Sequence, residues 1–481
     1  MDPLPHLQSV LVSAGYAPEP IAGRLGLDTN LIIRRDELPV HRRRLKNADA
    51  LDALVRCFLL QAPLDTDEAE TLLTPAGGAG LEDIGLLQRD GTMVLALLRL
   101  TPYAGLLIAH DTHQPGDLRQ YSVRGLTNSA RTLASMTTRD AVGRTLDLGT
   151  GCGVQALRAA SHSDNVVAVD LNPRALWLTD LNCRLNGITN VECRTGDLFG
   201  PVAGETFDLI VTNPPFVISP SREYLFRDGP LDEDGLSRAV VTEAAGALAE
   251  GGFAHIMCNW VARKDEPWSA AVESWIEGRG CDALILHYDT MEPLRYAAAW
   301  NEDLASDTDR FTTTLDAWLD YYRRRGIGAI GIGAVVLRRR TSEQNWGKTA
   351  ELARGPSGAA GEQVRRVFAA QDARTATTET SSPLDQRFAA VGHRLQQTLT
   401  FRDDAYTAND AVILLDDGLG LRNRVPPQAL HVLLRMDGSR TLGELVLETA
   451  EETGLDVESL SSSAVACVGE LFESGFLKHC P

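Results

Sequence analysis

Between residues 126 and 340 short apolar runs alternate with helical patterns, and this alternation constrains the fold more than any other feature of the chain. The runs are "RTLDLGTG", "NVVAVDLN", "VECRTGDLF", "FDLIVTNPP", "GGFAHIMCN", "CDALILHYD" and "IGAIGIGAVVLRRR". Strands that alternate with helices over such a length form a mainly parallel sheet wrapped by helices, here with seven strands expected. The last two runs are separated by a long connection, residues 290–326, whose segment "TTTLDAWLDYYRRR" is helical in pattern. Connections of that length in a compact domain commonly cover a substrate site.

The flanks read differently. Residues 1–124 carry amphipathic patterns, "PHLQSVLVSAGY" and "ADALDALVRCFLLQ", and then two short runs around Asp90-Gly91, a two-residue hairpin signal. They predict a helical or winged-helix-like domain ahead of a sheet domain at 125–340. Residues 341–384, rich in Gly, Ser, Thr and Ala, predict a polar linker. A compact unit at 385–481 follows, with two amphipathic helices, "TLGELVLETAEETG" and "SSSAVACVGELFESGFL", entered through Ser/Thr-rich caps. A chain of 481 residues is expected to hold two to four such domains.

The net charge of −19 and pI of about 5.0 weigh against bulk binding of nucleic acid through phosphates. Arginine triplets at Arg42–Arg44, Arg323–Arg325 and Arg338–Arg340 leave room for a local basic groove, although solvated element ends account for them as well. No uninterrupted apolar span approaches the ~18 residues of a membrane helix, and the first residues lack a signal-peptide pattern. Eight cysteines without a Cys-x-x-Cys give neither a disulfide framework nor a zinc ribbon, so a reducing, cytoplasmic home is expected.

The first strand of the sheet ends in Gly149-Thr150-Gly151-Cys152-Gly153, and a helical pattern starts at once. Alternate glycines allow a tight turn that a ligand can approach, with the N–H groups of the helix start left for a polar or anionic group. The second strand ends at Asp170, placed to accept both hydroxyls of a ribose. The third leads to Gly196-Asp197-Leu198-Phe199, where an acid can meet an adenine amine. Asp147 is placed to help fix an ammonium group, and Leu171 and Leu198, which follow the two acids, complete the cofactor set. A GxGxG turn favours a nucleoside with an amino-acid tail over a pyrophosphate, which describes S-adenosylmethionine.

The motifs "LDLGTGCGVQAL", "VVAVDLNPRAL", "GDLF" and "FDLIVTNPPF", in that order, resemble class I S-adenosylmethionine-dependent methyltransferases over about residues 125–340. The resemblance implies a Rossmann-like fold and S-adenosyl-L-methionine as methyl donor. The fourth strand then delivers Asn213, Pro214, Pro215 and Phe216 beside the donor, Asn213 counting with both the catalytic and the cofactor residues. Amide and aromatic amine nitrogens are poor nucleophiles because the lone pair is delocalised. A site helps by accepting their N–H hydrogens on fixed oxygens, and the Asn213 side chain and the Pro214 carbonyl are suitable. Prolines hold that carbonyl rigidly, and Phe216 offers a face on which a planar group can stack.

Within the family this tetrapeptide is shared by enzymes acting on the glutamine amide of proteins, on adenine amines and on guanine amines of ribosomal RNA. The stretch from Leu225 and Phe226 to Asp234, Gly235 and Leu236 is similar to the segment that follows the catalytic loop in release-factor glutamine methyltransferases. Two departures stand against that likeness. Phe216 replaces the usual Tyr, as in guanine-methylating RNA enzymes, and the flanking domains differ from the helical domain of the glutamine enzymes. The C-terminal unit is similar to winged-helix domains of the peptide-binding type and is poor in Lys and Arg, which favours a protein or peptide partner or a self-association surface. The expectation is an N-methyltransferase acting on a planar nitrogen of a protein or peptide, glutamine amide first. An exocyclic amine of RNA, a small natural product and a cofactor-binding protein without chemistry are the alternatives. No residue pattern specifies an oligomer.

Other groups carry less. His110-Asp111-Thr112-His113 lacks a third ligand, and no metal is expected. Cys183 and Cys193 read as ordinary thiols. "GLTNSARTLASMTT" is placed to cap the methionine end of the donor through Arg131 or Arg139, or to pack as a plain helix.

Overall fold

The computed structural model describes residues 2–74, 78–112, 121–221, 227–229, 231–263, 265–342, 344–376, 382–402 and 404–480. The chain divides into two compact units: residues 1–131, 141–283 and 290–347 form the first, and 132–140, 284–289 and 348–481 the second.

The sheet expected from the alternation is present. Its strands are β1 (Val142–Leu148), β2 (Ser163–Asp170), β3 (Val191–Thr195), β4 (Phe207–Thr212), β5 (Leu248–Ala262), β6 (Cys281–Met291) and β7 (Ala329–Arg339), in the order β6-β7-β5-β4-β1-β2-β3. β5, β4, β1, β2 and β3 are mutually parallel, and β7 runs antiparallel to β5. An eighth strand, β8 (Gly347–Glu351), lies at the β6 edge. Val166–Val169 of β2 and Leu209–Thr212 of β4 are buried without alternation, as strands covered on both faces must be.

The connecting helices are α1 (Val154–Ala159), α2 (Pro173–Leu185), α3 (Gly235–Ala247), α4 (Ala270–Ile276), α5 (Pro293–Trp300) and α6 (Thr308–Arg325). Local chemistry sets their ends. Asn172 caps α2 by accepting from the Arg174 N–H at 3.0 Å, with Pro173 in the first turn. Asp307 caps α6, and Gly326, left-handed at φ 65°, ends it. α5 and α6 fill the long connection 290–326.

Ahead of the sheet, six short α-helices among the described residues between Leu4 and Asp83, with a 3-10 turn and a π-helical segment, precede the hairpin Leu87–Asp90 and Met93–Ala96; the hairpin expected around Asp90-Gly91 forms, with Asp90 paired to Met93 and Gly91-Thr92 in the turn. A second hairpin, Arg99–Tyr103 with Leu106–His110, is held by α2 in an unusual way. Asn182 accepts from the Ala109 N–H at 2.7 Å and donates to the Ala109 carbonyl at 2.9 Å; Asn186 does the same for Leu107, both at 2.8 Å. The two side-chain amides stand in for a neighbouring strand and satisfy backbone groups that burial would otherwise strand.

In the second unit, the polar linker expected at 341–384 is corrected. The stretch contributes β8 and a helix, Ala360–Ala376, that buries Val364, Val367, Phe368 and Ala370. Gln363 of this helix donates to the Ser474 carbonyl at 2.7 Å and accepts from the Leu419 N–H at 2.8 Å. A three- and four-residue apolar spacing sits there among Gly, Ser and Thr, and packing overrides the composition. Further on, the strands Asp437–Thr441, Arg387–Ala390 and Leu477–Cys480 form a sheet, with helices at Pro427–Leu433, Leu442–Thr453 and Val457–Glu473. Thr441 and Glu444 form a reciprocal capping box at the second of these, and Asp456 caps the third.

Candidate active site

The parallel strands end on one side of the sheet, and the turns leaving β1, β2, β3 and β4 converge there. After β1, Gly149, Gly151 and Gly153 all have left-handed backbones, with φ of 70°, 57° and 80°. They serve different ends. A Cβ on Gly153 would lie 2.9 Å from the side chains of Leu157 and Thr179, so this glycine lets α1 pack against α2. A Cβ on Gly149 would meet nothing within 4 Å, so the turn presents bare backbone to open space.

Two carboxylates brace the turn. Asp147, buried, accepts from the Thr150 hydroxyl at 2.7 Å and from the Ala156 N–H at 2.9 Å. Burial pushes its carboxyl from 3.8 up to about 7, against the pull of those two hydrogen bonds. Asp170, at the end of β2, accepts from the Gly151 N–H at 3.0 Å on one oxygen and from the Asn172 N–H at 2.9 Å on the other. Burial raises its pKa as well, and the backbone donors hold it down. Leu171 beside it is 52% exposed, uncommon for a leucine at the end of a core strand. Asp197 and Leu198 follow β3, next to β2, where the Gly196 N–H donates to the Asp170 carbonyl at 3.1 Å. Asp197 is exposed and Leu198 half-buried. The stretch before β1 lies over the same turn: the Tyr121 carbonyl accepts from Asn172 at 3.0 Å, and Asp111 holds the Val123 N–H at 2.9 Å and the Arg174 side chain at 2.8 Å.

β4 pairs with β1 so that Thr212 faces Leu148, and the Thr212 hydroxyl donates to the Leu148 carbonyl at 2.8 Å. The Asn-Pro-Pro-Phe turn therefore starts beside the glycine turn. Asn213 donates through Nδ2 to the Ser129 hydroxyl at 3.2 Å, while its Oδ1 is buried with no hydrogen-bond partner among the described residues. The Pro214 carbonyl already accepts from the Phe216 N–H at 2.7 Å, which tightens the turn and leaves one lone pair. Phe216 meets Trp300, the last residue of α5, edge to face, with ring centroids 6.3 Å apart at 77°.

The chain beyond the turn is clamped from the long connection. The Ile218 N–H donates to the Tyr296 hydroxyl at 3.2 Å, and the Tyr322 hydroxyl donates to the Ile218 carbonyl at 2.8 Å. A buried ion pair joins the clamp. Arg227 Nε donates to Asp228 at 2.8 Å and its Nη1 to the Trp300 carbonyl at 3.2 Å, while Ser219 donates to Asp228 at 2.8 Å. Asp234 takes the Val261 N–H at 2.9 Å, and Gly235 and Leu236 open α3. Leu225 and Phe226 lie outside the described residues.

Ser129, Trp300, Tyr296, Tyr322 and the Arg227–Asp228 pair were not expected from the sequence. The signal for the aromatics is their four-residue spacing, Tyr296 with Trp300 and Trp318 with Tyr322, on one face of each helix. Ser129 carries no local signal, because its partner is 84 residues away.

The remaining expected groups are tied elsewhere. Arg131 donates to the Asn30 carbonyl at 2.8 Å and stands over the Tyr103 ring, and Arg139 donates to the Ala134 carbonyl at 3.0 Å. His110 is buried between the Thr101 hydroxyl and the Asp111 carbonyl, at 3.0 and 2.8 Å, and burial lowers its pKa to about 4; His113 lies outside the described residues. Cys183 is buried and Cys193 exposed. Within the triplets, Arg323 pairs with Asp320, Arg325 with Asp232, Arg338 and Arg340 with Asp282, and Arg44 with the Leu25 carbonyl. No helix among the described residues is long and apolar enough to cross a membrane.

Residues 119–266 match the methyltransferase small domain, and residues 13–97 match a family described only as a domain of unknown function (DUF7059). The chain is similar to the release factor glutamine methyltransferase of Deinococcus radiodurans, 40% identical over 121 residues, which is 23% of this chain and 43% of that protein. It is similar to the ribosomal protein uL3 glutamine methyltransferase of Bradyrhizobium diazoefficiens, 45% identical over 80 residues, 16% of this chain and 25% of the relative. It is also similar to the ribosomal RNA small subunit methyltransferase C of Alcanivorax borkumensis, 30% identical over 117 residues, 24% of this chain and 32% of the relative. The chain thus spans less than half the length of each of these relatives.

Proposed function

We propose that this chain, whose sheet has the class I methyltransferase fold, is an S-adenosylmethionine-dependent N-methyltransferase that modifies a glutamine amide of a protein. The residues fit the donor. Gly149 opens to free space. Each Asp170 oxygen holds one backbone N–H and keeps acceptor capacity for one ribose hydroxyl. Asp147, Gly149, Gly151, Gly153, Asp170, Leu171, Asp197 and Leu198 would hold the group, and when bound it supplies an electrophilic methyl on a sulfonium.

The chain's own residues prepare the acceptor. A primary amide has two N–H hydrogens. The Asn213 oxygen takes one and the spare lone pair of the Pro214 carbonyl the other, which fixes the amide plane so that the nitrogen lone pair, perpendicular to it, is turned toward the donor. The Phe216 face supports the amide plane. No general base is required before transfer, because the nitrogen sheds its proton after becoming cationic. The work left to the protein is orientation. The observation that carries the reading is the buried Asn213 oxygen without a partner, since such an atom costs about 1–3 kcal/mol unless a ligand satisfies it. The names of the glutamine-modifying relatives support the choice of acceptor, and Arg323, Arg325, Arg338 and Arg340 are each paired with an aspartate.

The test is transfer from methyl-labelled S-adenosylmethionine to purified bacterial release factor, to ribosomal protein uL3 and to a bacterial extract. Label is expected to resist ribonuclease, to be lost with protease, and to leave as methylamine on acid hydrolysis of the amide. Label recovered in nucleosides would overturn the reading.

A further inference from the structure

An asparagine amide has two orientations of nearly equal shape and opposite chemistry. One presents its oxygen to the acceptor; the other presents an NH2, which would oppose the acceptor's own N–H hydrogens. Something must choose between them, and the only partner of the Asn213 amide among the described residues is Ser129, at 3.2 Å.

Ser129 is itself fixed. Its hydroxyl lies 3.0 Å from the Thr127 hydroxyl, which also takes the Ala130 N–H at 3.2 Å, at the start of the helix Asn128–Met136. Either hydroxyl of this pair can donate to the other; when Thr127 receives the Ser129 proton, the Ser129 lone pairs face Asn213 and call for a donor there. The same helix start is tied to the cofactor side, because the buried Gln155 of α1 donates to the Ala130 carbonyl at 2.8 Å. A strut thus runs from the helix behind the glycine turn, through Ala130, Thr127 and Ser129, to the amide of the acceptor turn.

We propose that Ser129 is a positioning residue for methyl transfer: it holds the Asn213 amide with its oxygen toward the acceptor nitrogen. The inference rests on the reading of Asn213 given above. Ser129→Ala is expected to lower kcat roughly 10- to 100-fold, the scale on which small misplacements act, with KM and cofactor affinity changed by no more than about threefold. Ser129→Thr, which keeps the hydroxyl, is expected to restore kcat to within about threefold of the native chain. In the double variant with Asn213→Ala, loss of Ser129 should add no more than about twofold, because the two act as one unit. Unchanged kcat in Ser129→Ala, or losses that multiply in the double variant, would overturn the proposal. A second readout needs no acceptor. The side-chain NH2 signals of Asn213, assigned by their loss in Asn213→Ala, should be protected from solvent exchange in the native chain and unprotected in Ser129→Ala. Equal protection in both overturns the role of Ser129, whereas absence of any labelled protein with the difference intact overturns only the choice of acceptor.

Discussion

The glycine turn and the Asn-Pro-Pro-Phe turn leave adjacent strands, yet they are finished differently. The two carboxylates of the glycine turn are satisfied from nearby in sequence, Asp147 by Thr150 and Ala156 and Asp170 by Gly151 and Asn172, although Asp111 and Tyr121 reach over the same turn from further away. The Asn-Pro-Pro-Phe turn is braced from far away, by Ser129 on one side and Tyr296, Trp300 and Tyr322 on the other, and it keeps one buried oxygen without a hydrogen-bond partner among the described residues. On the proposed function, the mould for a constant ligand is built largely from nearby residues, with spare acceptor capacity on Asp170. A site that must select and orient a variable acceptor leaves an interaction to be made, and its stability has to come from elsewhere.

The largest effect that would break this contrast is at Asn213. Asn213→Ala is expected to lower kcat by roughly 10²–10³, as loss of an aimed polar group at a reacting centre does, and to leave the cofactor Kd within about threefold. A large loss of cofactor affinity, measured by calorimetry, would mean that the two turns are not separate in function.

Asp147 probes the other side. Its carboxyl is raised from 3.8 to about 7, so between those values the folded chain holds a proton that the unfolded chain has released. The stabilisation from this group is complete below pH 4 and lost as pH rises to about 7, an effect of roughly a few kcal/mol at most. Denaturation of the ligand-free chain should show stability falling across that window, and Asp147→Asn should flatten the slope. Asp170→Ala is smaller. Loss of a charge-assisted acceptor for the ribose, about 1.5–3 kcal/mol, should weaken cofactor binding roughly 10- to 100-fold with kcat at saturation little changed. Unaltered affinity would remove Asp170 from the cofactor site.

The same contrast explains what was legible in the sequence. The sheet and the glycine turn were, because period, glycine spacing and strand-end acids are local signals. Asn213 to Phe216 stood out for the same reason, as two prolines ending an apolar strand. The side chains that brace them did not, because a single sequence does not show which distant segments meet: the spacing of Tyr296 with Trp300 and of Trp318 with Tyr322 marks a helix face but not its partner, and Ser129 has no local signal. The helix Ala360–Ala376 was hidden by composition, since the Gly- and Ser-rich ends of its segment outweighed four apolar residues on one face. His393–Leu415, a long hairpin that the sequence did not predict, carries few of the turn dipeptides that reveal hairpins elsewhere.

The smallest effect is expected at Trp300, and it separates bracing from chemistry. Its ring meets the edge or face of Phe216 and lies 6.2 Å from Tyr296, while its backbone carbonyl, which a substitution retains, accepts from Arg227. Trp300→Ala therefore removes the aromatic wall and leaves the Arg227–Asp228 pair its carbonyl partner. An aromatic pair contributes about 0.5–1.5 kcal/mol beyond area, so KM for the protein acceptor should rise roughly 3- to 10-fold with kcat largely kept. Trp300→Phe should recover most of the loss. If kcat instead falls as far as in Asn213→Ala, the aromatic wall sets the geometry of transfer, and orientation on this side belongs to the long connection as much as to the turn it covers.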